Sequence, residues 1–356
     1  MEAAGVENRV DKNYCMSSYL AFRYVEDTTK LFFPGLHHNR MPPIPEKEKK
    51  PVRTALEIDA AIGQTFSLLQ KERLGLLLSG GMDSAILASY MPGCDAYTFR
   101  FLGGTFQSEE LHRAEYYANC YALRLHYVDI GWDTVEQCID ALMERKGAPV
   151  HSIETQIFAG AMQAKLDGIT MMVVGDGSDY IFGGMDQLLS TDWTFDEFVD
   201  RYTFLNPNDV INEPAGINYL YERFRVGEKI DYLHFMDTVA TEESFNSYYN
   251  AFQAAGMPYI DPYSKLVMAE PLDLERVRKG ESKYLIRELF STKYPDIAVP
   301  EKVPMPRPVD SYFAGWKGPE RPEFRGDLDV DRFTGNQKWQ MWCLERFLND
   351  HEQITA

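Results

Sequence analysis

The chain has 356 residues, enough for one large domain or two ordinary ones, and its 45% hydrophobic and 25% charged content excludes global disorder. Asp and Glu number 54 against 36 Lys and Arg, a formal charge of −18 that makes the chain a poor partner for nucleic acid or for an anionic membrane surface. Five cysteines without a C-x-x-C pair argue against a disulfide framework or a zinc knuckle and for a reducing, cytoplasmic setting.

Met1 to Lys12 has no apolar core, so no signal peptide is expected there, and no apolar run is long enough to span a bilayer. Tyr19–Val25 and Thr29–Phe33 read as two short strands. Residues His37–Arg53 are dominated by proline and charge and read as a linker or surface arm, so residues 1–53 are expected to form an appendage. Ala55, Ile58, Ile62, Phe66 and Leu69 recur at helical spacing. Then Leu74–Leu78 reads as an apolar strand, Asp83–Met91 as a helix, Ala96–Phe101 as a strand, and Ser108–Leu123 as a helix with Ser108 as its cap. Leu125–Ile130 is an expected strand, Trp132–Arg145 and Ile153–Leu166 expected helices, and Ile169–Val174 another apolar strand. Strands alternating with helices predict an α/β fold with a doubly wound parallel sheet, assigned to residues 54–190. From about Asp192 the strand signal fades, and residues 191–356 read as a helical region continuous with that core.

Two loops at the carboxyl ends of expected strands carry the candidate chemistry. Ser79-Gly80-Gly81-Met82-Asp83-Ser84 lies between a strand and a helix, where glycines and helix N–H groups suit an anion. Asp83 would be repelled by a bare phosphate unless a cation sits between them, and Mg²⁺ prefers that mixture of carboxylate and phosphate oxygens. Gly175-Asp176-Gly177-Ser178-Asp179 follows the strand at Ile169, and Asp179 is placed to share the same cation. Tyr180 stands where a dinucleotide fingerprint would need its third glycine, which argues against a dinucleotide site. Either loop alone reads equally well as a capped turn.

Together the loops resemble the ATP-pyrophosphatase loop of the asparagine synthetase family. Ser79–Ser84 matches that family's Ser-Gly-Gly-x-Asp-Ser at every position. Val174–Tyr180 followed by Phe182-Gly183-Gly184 is similar to its second motif, with Asp176 in place of a glutamate, Tyr180 in place of a second acidic residue and Val174 in place of a serine. Lys283-Tyr284-Leu285-Ile286-Arg287 looks like its third motif, Tyr19–Tyr24 like the segment joining its glutaminase and synthetase domains, and Trp339–Leu348 like its C-terminal helix. The family's glutaminase domain, with its N-terminal cysteine, is not expected within these residues, because residue 2 is Glu2 and Cys15 lies in no such context.

The resemblance implies an adenine-nucleotide alpha-hydrolase-like fold and an ATP-dependent carbon–nitrogen ligase. It implies that Leu78, Phe101, Val174 and Gly175 line the base and ribose, that Ser79, Gly80, Gly81, Asp83 and Ser84 hold the pyrophosphate, and that Asp83 and Asp179 hold Mg²⁺. A substrate carboxylate would be adenylated with release of PPi, and ammonia or an amine would displace AMP to leave an amide. Lys283 and Asp176 are the implied catalytic residues, the first for charge at the α-phosphate and the second for protons on the incoming nitrogen. Without the resemblance, Lys283 reads as a solvated helix-face lysine. The changes at positions 174, 176 and 180 leave other acids, lactam closure and peptide-bond closure open beside aspartate. Partners implied are a carboxylate substrate, a nitrogen donor, and either a separate glutaminase subunit or a second copy docked on the N-terminal arm.

A tRNA-modifying ATP-pyrophosphatase would need the basic surface and paired cysteines that are lacking, and a non-catalytic nucleotide-binding subunit sits poorly with the intact first motif. Asp327-x-Asp329-x-Asp331 starts like a calcium loop but has Arg332 and Lys338 where glycine and glutamate belong, and reads as a solvated loop. Pro300–Pro308 is a proline-rich loop that borders the substrate in this reading.

Overall fold

A computed structural model describes residues 8–102, 108–301 and 305–355. The start of the N-terminal stretch and residues 302–304 of the proline-rich loop lie outside the described residues. Five strands form the central sheet: β1 (Leu74–Leu77), β2 (Asp95–Phe101), β3 (Arg124–Ile130), β4 (Met171–Val173) and β5 (Tyr259–Ile260). Their order across the sheet is β5-β4-β1-β2-β3, and every pairing is parallel. Chain order runs outward from β1 to β3 on one side and then returns to β4 on the other. That reversal puts the topological switch between β1 and β4, where ligands of open α/β sheets enter at the carboxyl ends.

Helices cover both faces because the strands alternate apolar side chains to both. In β2, Tyr97 packs into one core cluster and its neighbour Ala96 into the other. On one face lie α2 (Ala55–Leu68), α3 (Met82–Ala88), α4 (Ser108–Cys120) and, from far along the chain, α9 (Tyr284–Lys293). On the other lie α5 (Trp132–Lys146), α6 (Ile153–Leu166) and α8 (Thr241–Ala255). A short helix, α7 (Gly177–Ile181), follows β4 directly.

One expectation for the N-terminal region needs correction. Tyr19–Val25 is not a strand: most of it belongs to helix α1 (Lys12–Phe22), capped by the Asp11 carboxylate accepting the Tyr14 N–H at 3.2 Å. Residues Tyr14 to Phe22 are buried without a break, and a helix enclosed on all sides shows no 3.6-residue period. Its side chains join the main core with the C-terminal helix α10 (Gly335–Thr355), where Gln340 Nε2 donates to the Tyr19 carbonyl at 2.8 Å. This segment is therefore packed within its own chain. At the end of the His37–Arg53 stretch, Lys50–Val52 pairs in parallel with Leu266–Met268.

The helical reading of the C-terminal part misses β5, whose two residues are too few to give a period. Among the described residues no helix is long and apolar enough to cross a membrane.

Candidate active site

The chain leaves β1 through Leu78 into the Ser79–Ser84 turn and enters α3. Ser84 Oγ accepts the Ser79 N–H at 3.0 Å, Ser79 Oγ accepts the Gly81 N–H at 3.1 Å, and the two hydroxyls lie 3.0 Å apart. The serines thus tie the turn closed across its own ends. Gly80 is required by packing: a Cβ there would lie 2.7 Å from the Glu110 backbone oxygen of α4. Arg113, on the same helix, donates to the Gly80 carbonyl at 3.0 Å.

Asp83, in the first turn of α3, meets the second motif and α9. Ser178 Oγ donates to one Asp83 oxygen at 2.6 Å. Lys283 Nζ donates to the other at 2.5 Å and to Asp179 at 2.8 Å. Lys283 is 3% exposed, so it is no solvated helix-face lysine. Burial alone would push its pKa down, but the Asp83 and Asp179 carboxylates outweigh burial and hold it above the ordinary lysine value. Gly184 makes this approach sterically open, since a Cβ there would sit 2.1 Å from Asp179 Oδ1 and 2.8 Å from Lys283 Cδ. That contact gives a physical reason for the Phe182-Gly183-Gly184 run.

Asp176 points away from this ion pair. One oxygen accepts from Ser244 Oγ of α8 at 2.8 Å, while Oδ2 is buried and accepts no hydrogen bond. Burial, with Asp261 adding to it, pushes the Asp176 carboxyl well above the usual range. Asp261 follows β5 and is 8% exposed. It accepts the Gly177 N–H at 2.6 Å and the Tyr263 N–H at 2.9 Å, yet burial still pushes its pKa up to about 7.

Beside Ser244, Glu243 accepts from Arg23 Nη2 at 3.0 Å. His151 Nε2 lies 3.4 Å from Glu243, 3.5 Å from Arg23 and 3.3 Å from Arg307. Burial, helped by the two guanidinium groups, pushes the His151 pKa well down and keeps the ring neutral. Burial and the Arg23 charge push Arg307 down to about 10, and no carboxylate among the described residues is within ion-pair distance of it.

Leu78, Phe101 and Val174 close β1, β2 and β4 on the carboxyl edge of the sheet. All three side chains are buried in the core, so it is mainly backbone that they offer toward the site. Gly175 lies close by, where a Cβ would press against Leu87, Asp83 and Tyr263 at 3.3–3.4 Å. Asp83, Asp179 and Lys283 are brought into direct contact, and Asp176 stands apart on the opposite side of the same turn. Sequence reasoning misses Ser178 as a ligand of Asp83, and also Asp261, Ser244, Glu243, His151 and Arg307. None lies in a local pattern, and only Ser178 falls within a quoted motif.

A parallel α/β sheet with a serine-glycine turn at its switch point, faced by two aspartates and a buried lysine, has the layout of a nucleotide-dependent synthetase. The asparagine synthase profile matches residues 58–255, more than half of the chain, and the chain belongs to that family of ATP-dependent amide-forming enzymes. Lys283 and Asp261 lie beyond the matched residues, and it is the fold that brings them to the motifs. No curated protein matches the sequence. Among solved structures, NMN synthetase from Francisella tularensis is similar over 73% of this chain and 100% of its own, with 9% identity and a TM-score of 0.27.

Proposed function

We propose that this protein is an AMP-forming carbon–nitrogen ligase that adenylates a substrate carboxylate and transfers ammonia or an amine to it. The observation that carries the reading is the Lys283 ammonium, buried and charged, between Asp83 and Asp179 at the edge of the Ser79–Ser84 turn. Attack of a carboxylate on ATP brings two anions together, and a fixed cation in a dry site lowers the energy of that encounter. Lys283 would turn from its aspartates toward the α-phosphate, and Ser79, Gly80, Gly81 and Ser84 would face the leaving pyrophosphate. Leu78, Phe101, Val174 and Gly175 would border the base and ribose.

Asp83 and Asp179 already share one positive centre, which fits them to hold a Mg²⁺ arriving with ATP. Among the described residues no third acidic, His or Cys group joins them, so phosphate oxygens and water would complete such a site. When bound, that ion supplies charge neutralisation at the phosphates. Arg23 and Arg307 place positive charge on the Glu243 side, which supports entry of an acid from there. Asp176, with a raised pKa and an oxygen without a donor, suits a proton acceptor for the nitrogen. Five free thiols, three of them buried, support a reducing, cytoplasmic setting.

The test is product analysis of the purified chain with ATP, Mg²⁺, ammonium and a panel of carboxylic acids. AMP and PPi formed in an acid-dependent way are the expected products. ADP and phosphate would contradict the reading.

A further inference from the structure

We propose that the cavity beside Asp176 receives the nitrogen donor, and that this donor is a primary amine on an apolar chain. This inference rests on the amide-forming reading above and names the nucleophile of that site. The cavity, about 480 Å³, lies between the proline run at Pro42–Pro45, helix α8 and the end of β5. A water molecule takes up roughly 30 Å³ in the liquid, and ammonia is of similar size. A cavity many times larger serves a substituted amine better than ammonia.

Its chemistry points the same way. Asp176 lines it and carries a buried oxygen without a donor, a deficit that a ligand donor would relieve. An alkylammonium brings both the missing N–H donor and the missing counter-charge. Asp261 lines the same cavity, with its oxygens held by the backbone N–H groups of Gly177 and Tyr263. Lys265 is the cation of the lining, and it is already paired with Glu48 at 2.8 Å. The other acidic groups of the lining are Asp176 and Asp261, so the cavity offers no unpaired cation to a carboxylate or a phosphate. Phe245, Tyr248 and Tyr249 of α8 add aromatic wall, which suits both an alkyl chain and a cation.

Placement completes the argument. Asp176 faces the cavity, while Ser178 and Asp179, two and three residues on, hold Asp83 and Lys283. The turn therefore separates an amine side from a phosphate side by a few residues. The bound ammonium passes one proton to the Asp176 carboxylate and becomes the free amine. The amine forms the C–N bond to the carbonyl carbon of the acyl-adenylate. The bond from that carbon to the phosphate-bridging oxygen breaks, AMP leaves with the electron pair, and the second nitrogen proton leaves with it.

The test is calorimetric titration of the full chain with n-hexylamine hydrochloride, n-hexanol and ammonium chloride at one pH and ionic strength. Hexylammonium should bind roughly tenfold or more tighter than hexanol, and Asp176→Asn should remove most of that difference. Tyr249→Ala, on the cavity wall, should weaken hexylammonium while leaving ammonium unchanged, which keeps the test decisive where Asp176→Asn does not fold. Equal affinity for hexylammonium and hexanol would overturn the proposal, as would mutual exclusion between hexylammonium and AMP, which would make the cavity the nucleotide's. AMP and PPi formation with ammonium but no hexylammonium binding would overturn this inference alone. ADP formation would overturn the donor role together with the ligase reading.

Discussion

Asp95 and Asp261 stand at opposite ends of the same parallel sheet and titrate in opposite directions. Asp95 opens β2 on the amino edge, where Arg124, His126 and Arg73 all reach its carboxylate, at 2.8–3.4 Å. The Arg124 hydrogen bond, chief among these partners, holds it well below the usual carboxylate range despite burial. Asp261 follows β5 on the carboxyl edge, with backbone N–H groups as partners, and burial pushes it up to about 7. The amino edge closes its charge with side chains of the chain itself. On the carboxyl edge Asp83 and Asp179 meet Lys283, while Asp176 and Asp261 have no cation within ion-pair distance among the described residues. Such a surplus is costly to folding and is expected where a ligand completes the charge.

The largest effect that should separate the two edges is kinetic. Lys283→Ala is expected to reduce turnover by roughly 10² or more with little change in ATP affinity, because the role proposed for the cation is in the transition state. Arg124→Ala at the other edge should leave kcat unchanged. An active Lys283→Ala enzyme would erase the distinction.

Next comes the pH dependence of stability. Asp261 has its folded pKa raised above the ordinary value of 3.8, so the folded state binds more protons between about pH 4 and 7. Its contribution is fully present below that window and is lost as pH rises through it, by at most about 1.4 kcal/mol per pH unit. Asp95 is the reverse: its stabilisation is present above about pH 4 and is lost as pH falls further. Denaturant titrations should show Asp261→Asn flattening the slope between pH 4 and 7, and Asp95→Asn flattening the slope below pH 4. A common slope in both variants would break the comparison.

At neutral pH, Asp95→Asn should lower stability by about 1–2 kcal/mol, read from the urea midpoint. Arg124 and Arg73 keep 60% and 53% of their side chains exposed, and solvent screening limits the loss. The smallest expected effect is a coupling. Asp83→Asn and Asp179→Asn should each weaken the Mg²⁺ dependence of ATP binding, and the double variant should depart from additivity by more than roughly 0.5 kcal/mol. Additive changes would mean that the two aspartates act separately.

The two edges also differ in how far sequence reveals them. The first four strands are legible because wholly apolar or alternating runs are bracketed by turn residues, and the Ser79–Ser84 and Gly175–Asp179 turns announce themselves by their glycines. Lys283 is legible through its Lys-x-x-Leu/Ile-Arg setting, although a lone lysine at a helix start says nothing of burial. Helix α1 is misread as a strand because it is enclosed on every side. Asp261, Ser244 and Arg307 are isolated residues, the first just past a two-residue strand, the second in a helix and the third in a proline-rich loop. Asp261 and Ser244 reach the second motif because β5 adds beside β4 and α8 packs on α6, both long-range events without a local signature.

The central claim is that a carboxylate attacks the α-phosphate of ATP at the carboxyl edge. The most direct measurement uses an acid that supports turnover, labelled with ¹⁸O in its carboxylate, and mass analysis of the phosphate products. Adenylation followed by amide formation transfers one labelled oxygen to AMP and none to PPi. Label in inorganic phosphate, with ADP as the nucleotide product, would contradict the account.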